Sequence, residues 1–165
     1  MPRLRLARAS AIGTRRVKYA DPSDSDLIIH HMPGHLIRRL QQVAVRLFFV
    51  RTGLALTPVQ FAALAAVAQR PRIDQATLSA LIGYDRATIG GVIDRLESKG
   101  WLARSASRAD RRVKLVRITA AGRKALTRAL PAVRAVQDLL LAPLGVAERK
   151  RFQRLCLKIL AHHLG

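Results

Sequence analysis

The chain has 165 residues, enough for one domain with appendages and a sizeable buried core. Half of it is apolar and only 4% aromatic, it has a single cysteine, and no apolar run approaches the ~20 residues of a membrane span. Disulfide scaffolds, cysteine-based metal centres and membrane-spanning folds are therefore disfavoured, and a mostly helical protein is expected. Thirty Lys and Arg against ten Asp and Glu leave a net charge of +20, and 24 of those cations are Arg, the residue suited to phosphates and base edges; nucleic acid is the favoured partner.

Residues 1–33 read as a basic N-terminal tail, largely flexible, with six cations before residue 27 and no hydrophobic signal core; a cytoplasmic location is the expectation. From Gly34, GHLIRRLQQVAVRLFFVRTG places Leu36, Ile37, Leu40, Val43, Ala44 and Leu47 at helical spacing, with Gly53 as a stop. In LTPVQFAALAAVAQR, Thr57 caps a second helix and Pro58 takes its first position; Pro71 ends it. Residues 72–74 allow one very short strand. QATLSALIG then makes a short helix ending at Gly83, and DRATIGGVIDRLESKG another, from an Asp85 cap to a Gly100 stop.

Beyond Gly100 the period changes. WLARSAS and VKLVRIT alternate as strands do and flank the polar tip SRADRR, which predicts a hairpin. Thr119 caps a long helix expected to kink near Pro131, and VAERKRFQRLCLKILAHHLG forms a last amphipathic helix. Two short helices joined by a tight turn and followed by a hairpin form a winged helix-turn-helix, whose second helix enters the major groove.

On that second helix Ile89, Val92, Ile93 and Leu96 share one side, which predicts the core face. The opposite side carries Ala87, Gly91, Asp94 and Ser98, flanked by Thr88, Gly90 and Arg95, with Arg86 in the first turn. Adjacent glycines inside a helix cost ~1 kcal/mol each relative to Ala. They allow close approach to a groove floor, or they accommodate a neighbouring helix; the pattern leaves both readings open. Thr88 and Arg86 are the side chains suited to phosphate or base edges here. The hairpin adds Arg104, Arg108, Arg111, Arg112, Lys114 and Arg117 against Asp110 alone, a tip suited to the minor groove.

LTPVQFAALAAVAQ, LSALIGYDRATIGGVIDRLESKGWLAR and SRADRRVKLVRITAAGRKAL together resemble the MarR family of bacterial transcriptional regulators. The resemblance covers roughly residues 34–164 in element order. Its most specific pieces are the D-R-L-E-x-K-G run of the second helix and the D-R-R…L-V-x-I-T-x-x-G run through the wing. It implies a mostly α fold with a small β-hairpin wing: a DNA-binding lobe at 57–119 and a helical dimerisation region at 34–56 and 120–165. It also implies a homodimer on a pseudo-palindromic double-stranded operator, acting as a repressor released by a small aromatic carboxylic acid such as a hydroxybenzoate, a hydroxynicotinate or a cinnamoyl-type compound. By position, Thr88 matches the family's groove-contacting polar residue, Arg112 the wing-tip arginine and Arg95 the arginine of the D-R-L-E run. Gly90 and Gly91 depart from the larger polar or basic residues common there, which shifts weight to Arg86, Thr88 and the wing.

His35, Arg39, Gln42 and Arg46 form a polar stripe on the first long helix. In related regulators an arginine of this helix meets the ligand carboxylate, so Arg39, then His35, then Arg38 are the expected ligand residues; a solvent-facing stripe is the alternative. No metal is expected, because Pro33 interrupts His30, His31 and His35, and Cys156 lies in an apolar-periodic helix where packing is expected. Glu97 and Glu148 are the only glutamates and no nucleophile–base spacing appears, so neither an enzyme nor a cofactor is expected. The competing class is a basic nucleic-acid-coating protein with no sequence preference and no small-molecule effector.

Overall fold

The computed structural model describes residues 28–52, 56–106 and 113–164. The chain divides into two compact units, one reaching Arg38 and the other running from Arg39. In the first, a 3-10 turn over Ile28–His31 precedes the opening residues of α1 (Pro33–Thr52), most of which belongs to the second; α1 starts one residue before the expected Gly34, with a proline at its head. The His30 and His35 rings lie edge to face, 5.5 Å apart. Residues 1–27 of the expected tail, and the Gly53 stop, lie outside the described residues.

In the second unit, α2 (Pro58–Gln69) opens with a reciprocal cap. The Gln60 N–H donates to the Thr57 hydroxyl and the Thr57 N–H to Gln60 Oε1, each at 3.2 Å. A helix apolar on all sides belongs at a core centre. Accordingly Ala63, Leu64 and Val67 are fully buried, and α2 packs against α3 (Gln75–Ile82), α4 (Arg86–Ser98), α5 (Ala120–Leu140) and the sheet. Phe48 on α1 is buried with its ring 6.3 Å from Phe61 of α2.

The expected short strand is β1 (Ile73–Asp74), and the expected hairpin is β2 (Leu102–Ala106) with β3 (Lys114–Ile118). They form an antiparallel sheet in the order β1-β3-β2, with Ile73 opposite Val116 and Leu102 opposite Ile118. Those four side chains are buried, and Arg117, between Val116 and Ile118 on β3, turns to the other face as the pleat requires.

Asp74 and Asp85 cap α3 and α4 in the same way. Asp74 accepts from the Thr77 N–H (2.9 Å) and hydroxyl (2.6 Å), and Asp85 from the Thr88 N–H (2.8 Å) and hydroxyl (2.5 Å). Gly83 ends α3 at φ 71°. At the end of α4, Gly100 takes φ 68° and the Trp101 N–H donates to the Leu96 carbonyl at 2.9 Å, a left-handed close that turns the chain into β2.

Thr119 caps α5 through the Gly122 N–H (3.0 Å) and also donates to the Gly100 carbonyl (2.7 Å). α5 continues through Pro131 as one helix, so the proline removes one rung of the ladder and does not divide the element. α6 (Val146–Leu164) opens with the Gly145 N–H donating to Glu148 Oε2 (2.7 Å) and contains no buried residue. Leu157 and Leu164 are 66% and 76% exposed. Cys156, expected in packing, is partly exposed, because little of this chain covers α6.

Candidate nucleic-acid interface

α3 and α4 present a helix-turn-helix whose apolar side is sealed. Ile89, Val92, Ile93 and Leu96 are at most 1% exposed, as their spacing predicts. Arg86, Ala87, Thr88, Asp94, Arg95 and Ser98 are exposed on the other side. The Thr88 hydroxyl gives its proton to the Asp85 cap, which leaves its lone pair and methyl group for an outside partner. That hydroxyl first, and the Thr88 N–H second, hold the Asp85 carboxyl below the usual carboxylate range.

The two glycines have different surroundings. A Cβ on Gly90 would stand 3.2 Å from the Gln75 side-chain nitrogen, and that nitrogen donates to the Arg86 carbonyl at 3.0 Å. A Cβ on Gly91 would meet only Arg95 Nη2, at an ordinary 3.5 Å. Gly90 therefore accommodates a neighbouring helix, the bland alternative of the two readings. Gly91 lies beside open space within reach of a flexible side chain.

Arg104 differs from the expected wing contact. Its guanidinium spans Asp94 Oδ1 (2.6 Å) and Glu97 Oε2 (2.5 Å), while its N–H donates to Glu97 Oε1 (2.9 Å). The Arg104 N–H first, then its guanidinium, hold the Glu97 carboxyl below its usual range. This clasp fastens β2 to α4 and offsets one of the two negative charges of the recognition helix, which would otherwise both repel phosphate. Arginine spacing along the hairpin carries no signal for it, since each arginine there looks alike until α4 is packed beside β2.

Arg86 and Lys114 are brought together. With Asp74, Gln75, Ala76 and Val113 they border a shallow groove of about 340 Å³ where the start of α3, the first turn of α4 and the root of the wing meet. Two cations beside an open groove are arranged for a phosphate backbone. Arg95 and Arg117 are exposed nearby in sequence, on α4 and β3. Arg108, Arg111 and Arg112 lie outside the described residues. His35, Arg38 and Arg39 sit on α1, with Arg38 exposed and His35 and Arg39 half-buried. Sequence reasoning missed a larger cavity of about 530 Å³ lined by Arg51, Leu56, Trp101 and Arg128 with Ala125, Ala129 and Ala132. The only hint of it was the chain's single tryptophan.

Among the described residues no helix is long and apolar enough to cross a membrane. Nor do they hold any group of three or more His, Cys, Asp or Glu that could bind a metal ion.

A model of the MarR family matches residues 56–114. The chain is 35% identical over 136 residues to a transcriptional regulatory protein for the hcr operon of Thauera aromatica, a match spanning 78% of this chain and 82% of that protein. It is similar to the PcaV transcriptional regulator of Streptomyces coelicolor, solved in complex with its natural ligand, with a TM-score of 0.78 and 31% identity over 84% of this chain and 98% of that one. BpsR of Bordetella bronchiseptica, solved to explain regulation of its DNA binding by 6-hydroxynicotinic acid, matches with a TM-score of 0.74 and 32% identity, covering 78% and 92% of the two chains.

Proposed function

The chain belongs to the MarR family of transcriptional regulators, and we propose that it is a ligand-responsive repressor rather than an enzyme. It binds a pseudo-palindromic operator as a homodimer and leaves it when a small aromatic carboxylic acid binds. The observation that carries the DNA half is the convergence of Arg86 and Lys114 on one groove beside a recognition helix whose two acids are both held by Arg104. Dimerisation through 34–56 and 120–165 is supported by the apolar side chains that α1 and α6 leave uncovered in a single chain, Leu40, Val43, Leu157 and Leu160 among them. The effector class is supported by the likeness to BpsR, whose DNA binding is regulated by 6-hydroxynicotinic acid, and ligand response by the likeness to PcaV, with Arg39, His35 and Arg38 as carboxylate partners along α1. A cytoplasmic site of action follows from the DNA partner.

The net charge of +20 also favours a second reading, a coating protein that grips any nucleic acid. An anisotropy titration of the full chain against the duplex upstream of its own gene separates the two. The repressor reading expects tight binding there, much weaker binding to a scrambled duplex, and release on adding 4-hydroxybenzoate or 6-hydroxynicotinate. Equal affinity for both duplexes supports the coating protein instead.

A further inference from the structure

The last helix, α6, carries five Lys and Arg against one acid, and that acid, Glu148, is engaged with the Gly145 N–H at the helix start. Arg149 is engaged there too, its Nε donating to the Leu144 carbonyl at 3.0 Å. The other four cations, Lys150, Arg151, Arg154 and Lys158, are exposed. Among the described residues none of the four has a hydrogen bond or an ion pair. They fall within about 100° of arc, with Lys150, Arg154 and Lys158 in a row four residues apart. Arg149 and Cys156, the two residues of α6 that are partly covered, lie on the opposite side, flanked by Phe152 and Leu160. The homodimer proposed above takes that apolar side and leaves the cationic stripe outside it.

We propose that this stripe is a second grip for duplex DNA, separate from the recognition helix, by which the protein holds two duplexes at once. Like charges four residues apart repel along a helix, so the row works against α6 unless a polyanion lies beside it. Duplex DNA has the matching charge and length. Lys150 to Lys158 spans roughly 12 Å of axis at about 1.5 Å per residue, and a duplex carries one charge per ~1.7 Å, so the row meets several phosphates. Cations on phosphate read no bases, so the stripe accepts a duplex of any sequence. It is also a different surface from the groove of Arg86 and Lys114. The recognition helix α4 packs against α2, α3 and β2, and α6 packs against none of the lobe to a comparable extent. Phosphate binding by the stripe does not depend on the ligand-responsive repressor reading above.

Two random-sequence duplexes, one with a donor and one with an acceptor fluorophore, are mixed with the full chain. Energy transfer between them is read beside the anisotropy of one duplex alone. The proposal expects transfer that rises with protein and falls again when protein is in excess, as each duplex fills with its own copies. Lys150→Gln, Arg154→Gln and Lys158→Gln together lower the transfer by about tenfold or more, because three phosphate contacts are lost, and leave single-duplex affinity close to wild type. Lys150→Arg with Lys158→Arg keeps the transfer, since the charge is retained. Arg123→Gln, Lys124→Gln and Arg134→Gln together remove the same charge from exposed positions of α5 and leave the transfer as in wild type. No transfer with the wild-type chain overturns the proposal, as does transfer that survives the triple α6 variant. Equal loss in the α5 variant makes net charge the cause and overturns it too. Single-duplex affinity that falls in step with transfer puts the stripe on the first duplex and overturns the second grip. Sequence preference is read separately, in the titration against the upstream duplex, so failure here leaves the repressor reading standing.

Discussion

The Gln75 side-chain amide donates to the Arg86 carbonyl at 3.0 Å, across the bare Cα of Gly90. The first residue of α3 is thereby tied to the first turn of α4, and the glycine makes the tie fit. A helix pair braced in this way holds the recognition helix at one setting.

Gly90 and Gly91 should therefore respond differently to alanine. Gly91→Ala meets no obstacle and should stabilise α4 by about 0.5–1 kcal/mol through helix propensity. Gly90→Ala earns the same propensity but crowds Gln75, so its gain should be smaller or reversed. In the Gln75→Ala background Gly90→Ala should recover the full gain. Denaturant melts of the four single and double variants measure this coupling.

Gly122→Ala should be the most damaging of the glycine substitutions. Its Cβ would collide with the Trp101 main-chain oxygen and crowd Ile118, neither of which is the end of a flexible side chain. A loss of about 1–3 kcal/mol is expected from such overpacking, read as a lowered Tm with helical circular dichroism retained at low temperature.

The clasp of Arg104 on Asp94 and Glu97 makes stability depend on pH. Glu97 titrates below its ordinary value in the folded chain, so its contribution is complete above the unfolded carboxylate pKa of about 4.3 and is lost as pH falls through the folded value. Asp74 and Asp85 are shifted in the same direction by Thr77 and Thr88 and add to the slope. Wild type should exceed Glu97→Gln in Tm at neutral pH, and the gap should close as the pH drops below about 4. A gap that stays constant from pH 7 to pH 3 would remove the charged clasp from the explanation.

Arg86→Ala and Lys114→Ala should each weaken binding to all duplexes if both cations meet phosphate in their shared groove. Each should also lower the slope of log affinity against log salt by about one. An unchanged slope with lost site preference would instead mark that residue as a base reader.

Much of the fold was legible because local chemistry announces it. Thr57, Asp85 and Thr119 as caps, Gly83 and Gly100 as left-handed stops, and the Ile89-to-Leu96 stripe all act within a few residues of themselves. The features that were not legible join residues distant in sequence. Gln75 meets Gly90 fifteen positions later, and Arg104 meets Asp94 and Glu97 only once β2 folds back along α4. Asp74 as a cap went unread because the short strand before α3 hides it. The cavity was hidden for the same reason. Ala125, Ala129 and Ala132 look like ordinary helix formers until Arg51 and Trp101 are placed opposite them.

The most direct test is selection of the full chain against a pool of random duplexes, followed by footprinting of the enriched sequence. A dimer reading two consecutive major grooves should enrich an inverted repeat with half-site centres about 10–10.5 bp apart, protected on one face of the duplex. A pool that stays random through repeated rounds, with equal affinity for every duplex, would contradict sequence-specific regulation by this chain.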